Sequence, residues 1–127
     1  MLISTDAEQK REQRLREQEV AGVRSMDLST VYYQINNASF GGELLVDTPV
    51  YWEDLSTDKD CHGCGAMTDF DTGRPRIRFN PLKLKTRNGV HKLMQHEMCH
   101  VYVYQIGEFD DRDPHGPQWA ECMKRFP

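Results

Sequence analysis

Apolar residues recur along this chain with two different periods, and the changes between them mark out its elements. Residues 5–21 show almost no apolar face. Lys10 to Glu19 alternates charges, and only Leu15, Val20 and Val23 can pack. Thr5 and Glu8 have capping-box spacing and Gly22 suits a helix end, so a solvated first helix is predicted. From Leu28 the period becomes helical, with Leu28, Val31, Tyr32 and Ile35 on one stripe. A second helix, capped by Ser25 or Asp27, is expected to lay that stripe on the core. Leu44 to Trp52 is strand-like but interrupted by Pro49, which suits an edge or a bend. Residues 53–63 are polar and predict a loop. Short alternating runs at 65–70 and 74–80, joined by Asp71-Thr72-Gly73, predict a hairpin.

Gly89 to Ile106 is the most apolar segment. Val90, Leu93, Met94 and Val101 share a face, and Met98, Tyr102, Val103 and Ile106 extend apolarity round the second half. Asn88 suits the N-cap and Gly107 the position after the last turn. A helix apolar on most sides is a buried one, so this helix is expected at the centre. An acidic loop from Glu108 to Pro114 follows. Pro117 then opens a short last helix that turns Trp119, Cys122 and Met123 inward. The order is helix, helix, short antiparallel strands, helix, loop, helix, which is an α+β pattern. We expect a charged N-terminal extension over residues 1–24 and one domain over 25–127. At 127 residues the chain is long enough for a single core.

Two histidines and a glutamate interrupt that central apolar helix, in the pattern His96-Glu97-Met98-Cys99-His100. Positions i and i+4 of a helix share a face about one turn apart. His96 and His100 can therefore aim two imidazoles at one metal ion, with Glu97 beside them as general base toward a water that the metal activates. On a strand the same histidines would stand about 13 Å apart, too far to share an ion bound at about 2.0–2.1 Å. Buried polar groups cost several kcal/mol unless paired, and a metal removes that cost. A catalytic zinc usually takes three protein ligands. Downstream candidates for the third are His115, Glu108, Glu121 and the Asp110, Asp111, Asp113 group. His115 is the best placed, since Gly116-Pro117 fixes its backbone and starts a packed helix.

Composition alters this picture at three points. Mean hydropathy is −0.73, and no apolar run reaches the roughly 18 residues a membrane span needs. The first residues lack the basic and apolar regions of a signal peptide, so an intracellular chain is expected, cytoplasmic or associated with DNA and not secreted. Cysteines 61, 64, 99 and 122 are then expected as free thiols. Cys61-His62-Gly63-Cys64 lacks the second closely spaced pair that a structural zinc site would use. Finally, the net charge of −4 hides an asymmetry. Residues 71–95 hold seven basic side chains against one acid, a net of +6, leaving −10 elsewhere. Arg74, Arg76, Arg78, Lys83, Lys85 and Arg87 form a candidate phosphate track just before the histidine helix. A solvated edge strand with gatekeeper charges is the alternative.

The histidine pattern, the acidic loop and His115-Gly116-Pro117 together resemble the metallopeptidase core of the SprT-like family, which includes Spartan. Tyr33 to Asn37, Phe40 to Leu44, and Ile77-Arg78-Phe79-Asn80 with Leu82 are similar to further parts of that family. The resemblance covers roughly residues 28–126. It implies a small zincin-like domain with a short antiparallel sheet packed on a central metal-binding helix. It implies His96, His100 and His115 as ligands of one catalytic zinc and Glu97 as the catalytic glutamate. The expected activity is zinc-dependent endopeptidase cleavage of protein substrates, including proteins bound or crosslinked to DNA, with single-stranded or damaged DNA as a partner. A monomer with no membrane partner is expected. The alternatives are a zinc-stabilised binding module without turnover and a peptidase indifferent to DNA.

Overall fold

The computed structural model describes residues 5–70 and 73–127. Its elements run α1 (Asp6–Arg24), α2 (Leu28–Ser39), β1 (Val50–Trp52), β2 (Ala66–Asp69), β3 (Arg76–Phe79), α3 (Arg87–Gln105) and α4 (Pro117–Met123). The four helices and one three-stranded sheet make a small α+β domain.

The caps explain where the helices begin. Thr5 Oγ1 accepts from the Glu8 backbone N–H at 3.2 Å, and the Thr5 N–H donates back to the Glu8 carboxylate. Helix α1 runs past Gly22 to Arg24, where the Ser25 hydroxyl donates to the Gly22 carbonyl. Val23 is its one buried residue. In α2 the cap is Asp27, whose carboxylate accepts from the Ser29 and Thr30 N–H groups. Buried Asn36 then ties the following turn, its amide donating to the Leu44 carbonyl and its oxygen accepting from the Leu44 N–H. That turn needs φ of 60° and 75° at Gly41 and Gly42, a region glycine enters without steric cost.

The sheet order is β1-β3-β2. β2 and β3 pair antiparallel, with Ala66 opposite Phe79 and Asp69 opposite Arg76. β1 and β3 pair in parallel, Val50 opposite Ile77 and Trp52 opposite Phe79. The sheet is therefore mixed, where an all-antiparallel one was expected. Residues 53–65 carry the chain round so that β2 takes the outer side of β3, which leaves β1 to run alongside β3 in the same direction. The turn expected at Asp71-Thr72-Gly73 lies partly outside the described residues.

α3 begins at Arg87 with Thr86 as its cap, two residues before the Asn88 cap the sequence suggests; Thr86 Oγ1 accepts from the Gly89 N–H at 3.0 Å. It ends as expected before Gly107, which holds φ of 78°. Val90, Met94, Met98 and Val101 of α3 are fully buried against Ile77 and Phe79 of β3. Each such side chain contributes about 1.5–3 kcal/mol by leaving water, so α3 is held in the core that it shares with β2, α2 and α4.

The cysteines are not free thiols. Cys61 pairs with Cys64, and Cys99 pairs with Cys122, with Cα atoms 5.3 and 5.7 Å apart. The second pair joins α3 to α4. It exists because α4 folds back onto α3, a contact that a separation of 23 residues conceals.

Candidate active site

The α3 surface that borders a cleft with β2 carries His96 and His100, and the loop after α3 brings His115 to them. One ring nitrogen from each of the three lies within 4.8 Å of the others. His96 Nε2 and His115 Nε2 are 3.1 Å apart. Nitrogens bound tetrahedrally to zinc at about 2.0–2.1 Å stand roughly 3.3 Å apart, so this spacing fits one ion among three imidazoles. The protonation states agree. Burial, and then the neighbouring His115, hold His96 below the usual histidine range. Burial, followed by His96 and His115, lowers His100 to about 4. Both rings are thus neutral near pH 7 with lone pairs to offer.

Glu97 is the buried member, with only 4% of its surface exposed. Its Oε2 lies 3.7 Å from His96 Nε2, and Thr68 Oγ1 of β2 donates toward its Oε1 at 3.3 Å. Burial pushes its pKa up to about 7, with the Thr68 hydrogen bond opposing. A carboxyl poised near neutral pH beside the histidines is suited to proton transfer.

Trp119 of α4 completes the arrangement. Its indole N–H donates to the His96 backbone carbonyl at 3.1 Å. Its ring stacks on His100 at 5.8 Å and 23°, and meets His96 and His115 edge to face at 4.8 and 4.7 Å. Sequence reading gave Trp119 a packing role only, and it missed Thr68. The spacing of Trp119 four residues after His115, on a helix opened by Pro117, was the available signal for the first. Nothing in the sequence marked the second.

The three histidines, Glu97 and Thr68 line a cleft of about 500 Å³ whose apolar walls include Ala66, Phe70, Leu93 and Phe109. Phe70 stacks on Tyr104 at 4.4 Å and meets Phe109 at 4.5 Å, closing one end. β2 borders the cleft, and as the outer strand its far edge has no strand partner among the described residues.

The cationic face expected on β3 is different in the structure. Arg78 is buried, and its guanidinium reaches Glu53 at 2.6 Å, Asp69 at 2.9 Å and Asp58 at 3.0 Å. Arg76 pairs with Asp69 at 2.5 Å and donates to the Tyr51 hydroxyl. The alternation along β3 is as expected, but acids from the 53–58 segment and from β2 cover that face. Arg74, Lys83, Lys85 and Arg87 stay exposed, and none belongs to an ion pair among the described residues. Glu108, Glu121, Asp110, Asp111 and Asp113 do not join the histidine cluster.

Fold and site together define a small α+β domain with a histidine triad of metal-ligand geometry beside a buried carboxylate. The SprT-like family model matches residues 28–126, and the chain belongs to that family. Over 104 residues, 79% of the chain, it is 29% identical to the DNA-dependent metalloprotease SPRTN of Homo sapiens and 30% identical to that of Rattus norvegicus. It is 40% identical over 50 residues, 38% of the chain, to protein SprT of Glaesserella parasuis, covering 31% of that protein. The chain spans about a fifth of the length of the SPRTN relatives (20% in both). By the names of these relatives the family includes metalloproteases.

Proposed function

We propose that the chain is a zinc-dependent endopeptidase of zincin-like type, with residues 25–127 as its peptidase domain, α3 as the metal helix and His96, His100 and His115 as ligands of one zinc. The observation that carries this reading is Glu97, a buried carboxyl 3.7 Å from a ligand nitrogen. A purely structural zinc site has no use for such a group, and burying it costs stability. Zinc in this position would supply Lewis acidity, lowering the pKa of water toward about 7 and polarising a carbonyl.

The other tasks fall to residues of the chain. An extended substrate adds to the free edge of β2 through backbone hydrogen bonds. This presents its peptide bond to Glu97 across the cleft. The Glu97 carboxylate takes a proton from the attacking water and returns it to the leaving amine nitrogen. Thr68 holds Oε1 so that the other oxygen faces the histidines. The apolar walls exclude bulk water, which strengthens these electrostatic contacts.

DNA is the proposed partner. SPRTN relatives carry the description DNA-dependent, and Arg74, Lys83, Lys85 and Arg87, unpaired among the described residues, offer positive charge just before and at the start of α3. Arg76 and Arg78 leave the candidate track because their charges are met internally. Proteins held on DNA are then the substrate class, and the site of action is intracellular.

Glu97→Gln tests the catalytic assignment. The zinc-loaded variant should keep one metal per chain and cleave an unfolded protein about 10²–10⁴-fold more slowly, the usual weight of a general base. Cleavage at the parent rate would remove Glu97 from the mechanism. Activity equal with and without single-stranded DNA would leave a peptidase indifferent to DNA.

A further inference from the structure

Helix α1 lies outside residues 28–126 that match the family, and almost all of its surface is exposed. Its last turns nevertheless pack against the segment leading into α3. Arg24 Nε donates to the Pro81 carbonyl at 3.4 Å. A Cβ added at Gly22 would lie 3.3 Å from an Arg87 guanidinium nitrogen, so Arg87 rests on the bare face of that glycine. Arg16, Arg24 and Lys85 line one open groove with Gln13, Glu17 and Val20. Three cations, from segments about sixty residues apart in sequence (57 between Arg24 and Pro81), thus share one groove, and a fourth, Arg87, sits against the Gly22 face of α1, about 160° round the helix from Arg24. All four are exposed and none is ion-paired among the described residues.

At about 100° per residue, Arg16, Lys10 and Arg14 fall within about 80° of Arg24 and share that side with Asp6 and Glu17, while Glu8, Glu12, Glu19 and Arg11 fall roughly 120–160° away. Glu17 is the one carboxylate in the groove, and the Gln13 amide holds it at 3.2 Å. Arg16 and Arg24 are separated by about 12 Å along the helix and about 80° round it.

We propose that α1 is part of the nucleic-acid interface, with Arg16, Arg24 and Lys85 forming one track along their shared groove for a phosphate backbone. The inference rests on the reading above that the chain engages DNA, and it gives the N-terminal helix a function that the family core does not contain. The track reads backbone charge and not base sequence, since arginine and lysine side chains on an open surface meet phosphates without entering a groove.

The test uses the full zinc-loaded chain and a labelled 20-nucleotide single strand of mixed sequence, followed by fluorescence anisotropy across a salt series. Arg16→Glu with Arg24→Glu should weaken binding at least tenfold near 50 mM salt. It should also flatten the slope of log K against log salt by about 1.4, the value for two lost phosphate contacts on a single strand. Arg11→Glu is the control, since it lies about 140° round the helix from Arg24 and makes the same charge change as Arg24→Glu. It should cost less than threefold, while Arg24→Glu alone costs at least threefold. Circular dichroism of each variant should match the parent, so that a lost helix cannot imitate a lost contact. Unchanged affinity in the double variant, or equal losses in Arg11→Glu and Arg24→Glu, would overturn the track while leaving a DNA-binding parent. A parent that shows no salt-sensitive DNA binding would sink the DNA reading itself, and the track with it.

Discussion

Trp119 shows how much of the site depends on a residue that is not itself a ligand. Its indole N–H donates to the backbone of His96, and its ring touches all three imidazoles. Outer groups that orient metal ligands are typically worth 10–100-fold in affinity. Trp119→Ala is expected to weaken zinc binding by that factor in a chelator competition, and by less than His115→Ala, which removes a donor. Trp119→Phe keeps an aromatic face while losing the N–H bond and part of the ring area, so it should recover part of the affinity. A cobalt-substituted protein offers an independent reading, since its visible spectrum should broaden in the alanine variant. Parent-like affinity and spectrum in Trp119→Ala would reduce the tryptophan to packing. At this scale Glu97 is the other side of the same design, a carboxyl whose burial raises its pKa to about 7.

Among the elements, β3 does two jobs with its two faces. Ile77 and Phe79 pack under α3, while Arg78 gathers Glu53, Asp58 and Asp69 on the opposite side. One cation therefore fastens the 53–58 segment and β2 to the central strand. Removing one partner of a fully buried ion pair costs about 3–5 kcal/mol. Here the carboxylates keep partial contact with water, so Arg78→Met should cost about 2–3 kcal/mol in chemical denaturation. The pH dependence follows from Asp58, which the Asp60 backbone N–H and then Arg78 hold below the usual carboxylate range. Stability from a lowered carboxylate is present above its unfolded pKa and is lost as pH falls through the folded one. The gap between parent and Arg78→Met should therefore narrow as pH drops below about 4. A gap that is constant or widens in acid would mean that the loss comes from packing.

For the molecule as a whole, the proposed metal spans parts that the core alone does not join. His96 and His100 stand on the buried helix, and His115 sits in the exposed acidic loop that leads to α4. Zinc at about 100 times its dissociation constant should add about 2.7 kcal/mol, which for a domain of this size raises Tm by roughly 10 °C. Chelation should reverse the shift, and His96→Ala with His115→Ala should abolish it. An equal rise in that double variant would place the stabilising ion elsewhere.

Much of this was legible in the sequence because its physics is local. The stripe Leu28, Val31, Tyr32, Ile35 follows from helical periodicity alone. So does the pairing of His96 with His100 one turn apart, and the stop at Gly107 follows from the positive φ it supplies. His115 could be singled out by its rigid Gly-Pro neighbour, although its distance from His96 could not be. Other features depend on which distant segments meet. The parallel pairing of β1 with β3, the union of Cys99 with Cys122 and the hydroxyl of Thr68 at Glu97 are decided by packing. The cationic strand is the clearest case. Its charges are explicit in the sequence, yet whether Arg78 faces phosphate or Asp58 and Asp69 is set by loops that fold over it. Sequence by itself determined the periodic elements and the chemistry available to one helix, because both depend on residues a few positions apart. Only the tertiary structure decided which charges remain free, since neutralisation falls off with distance in space and not along the chain.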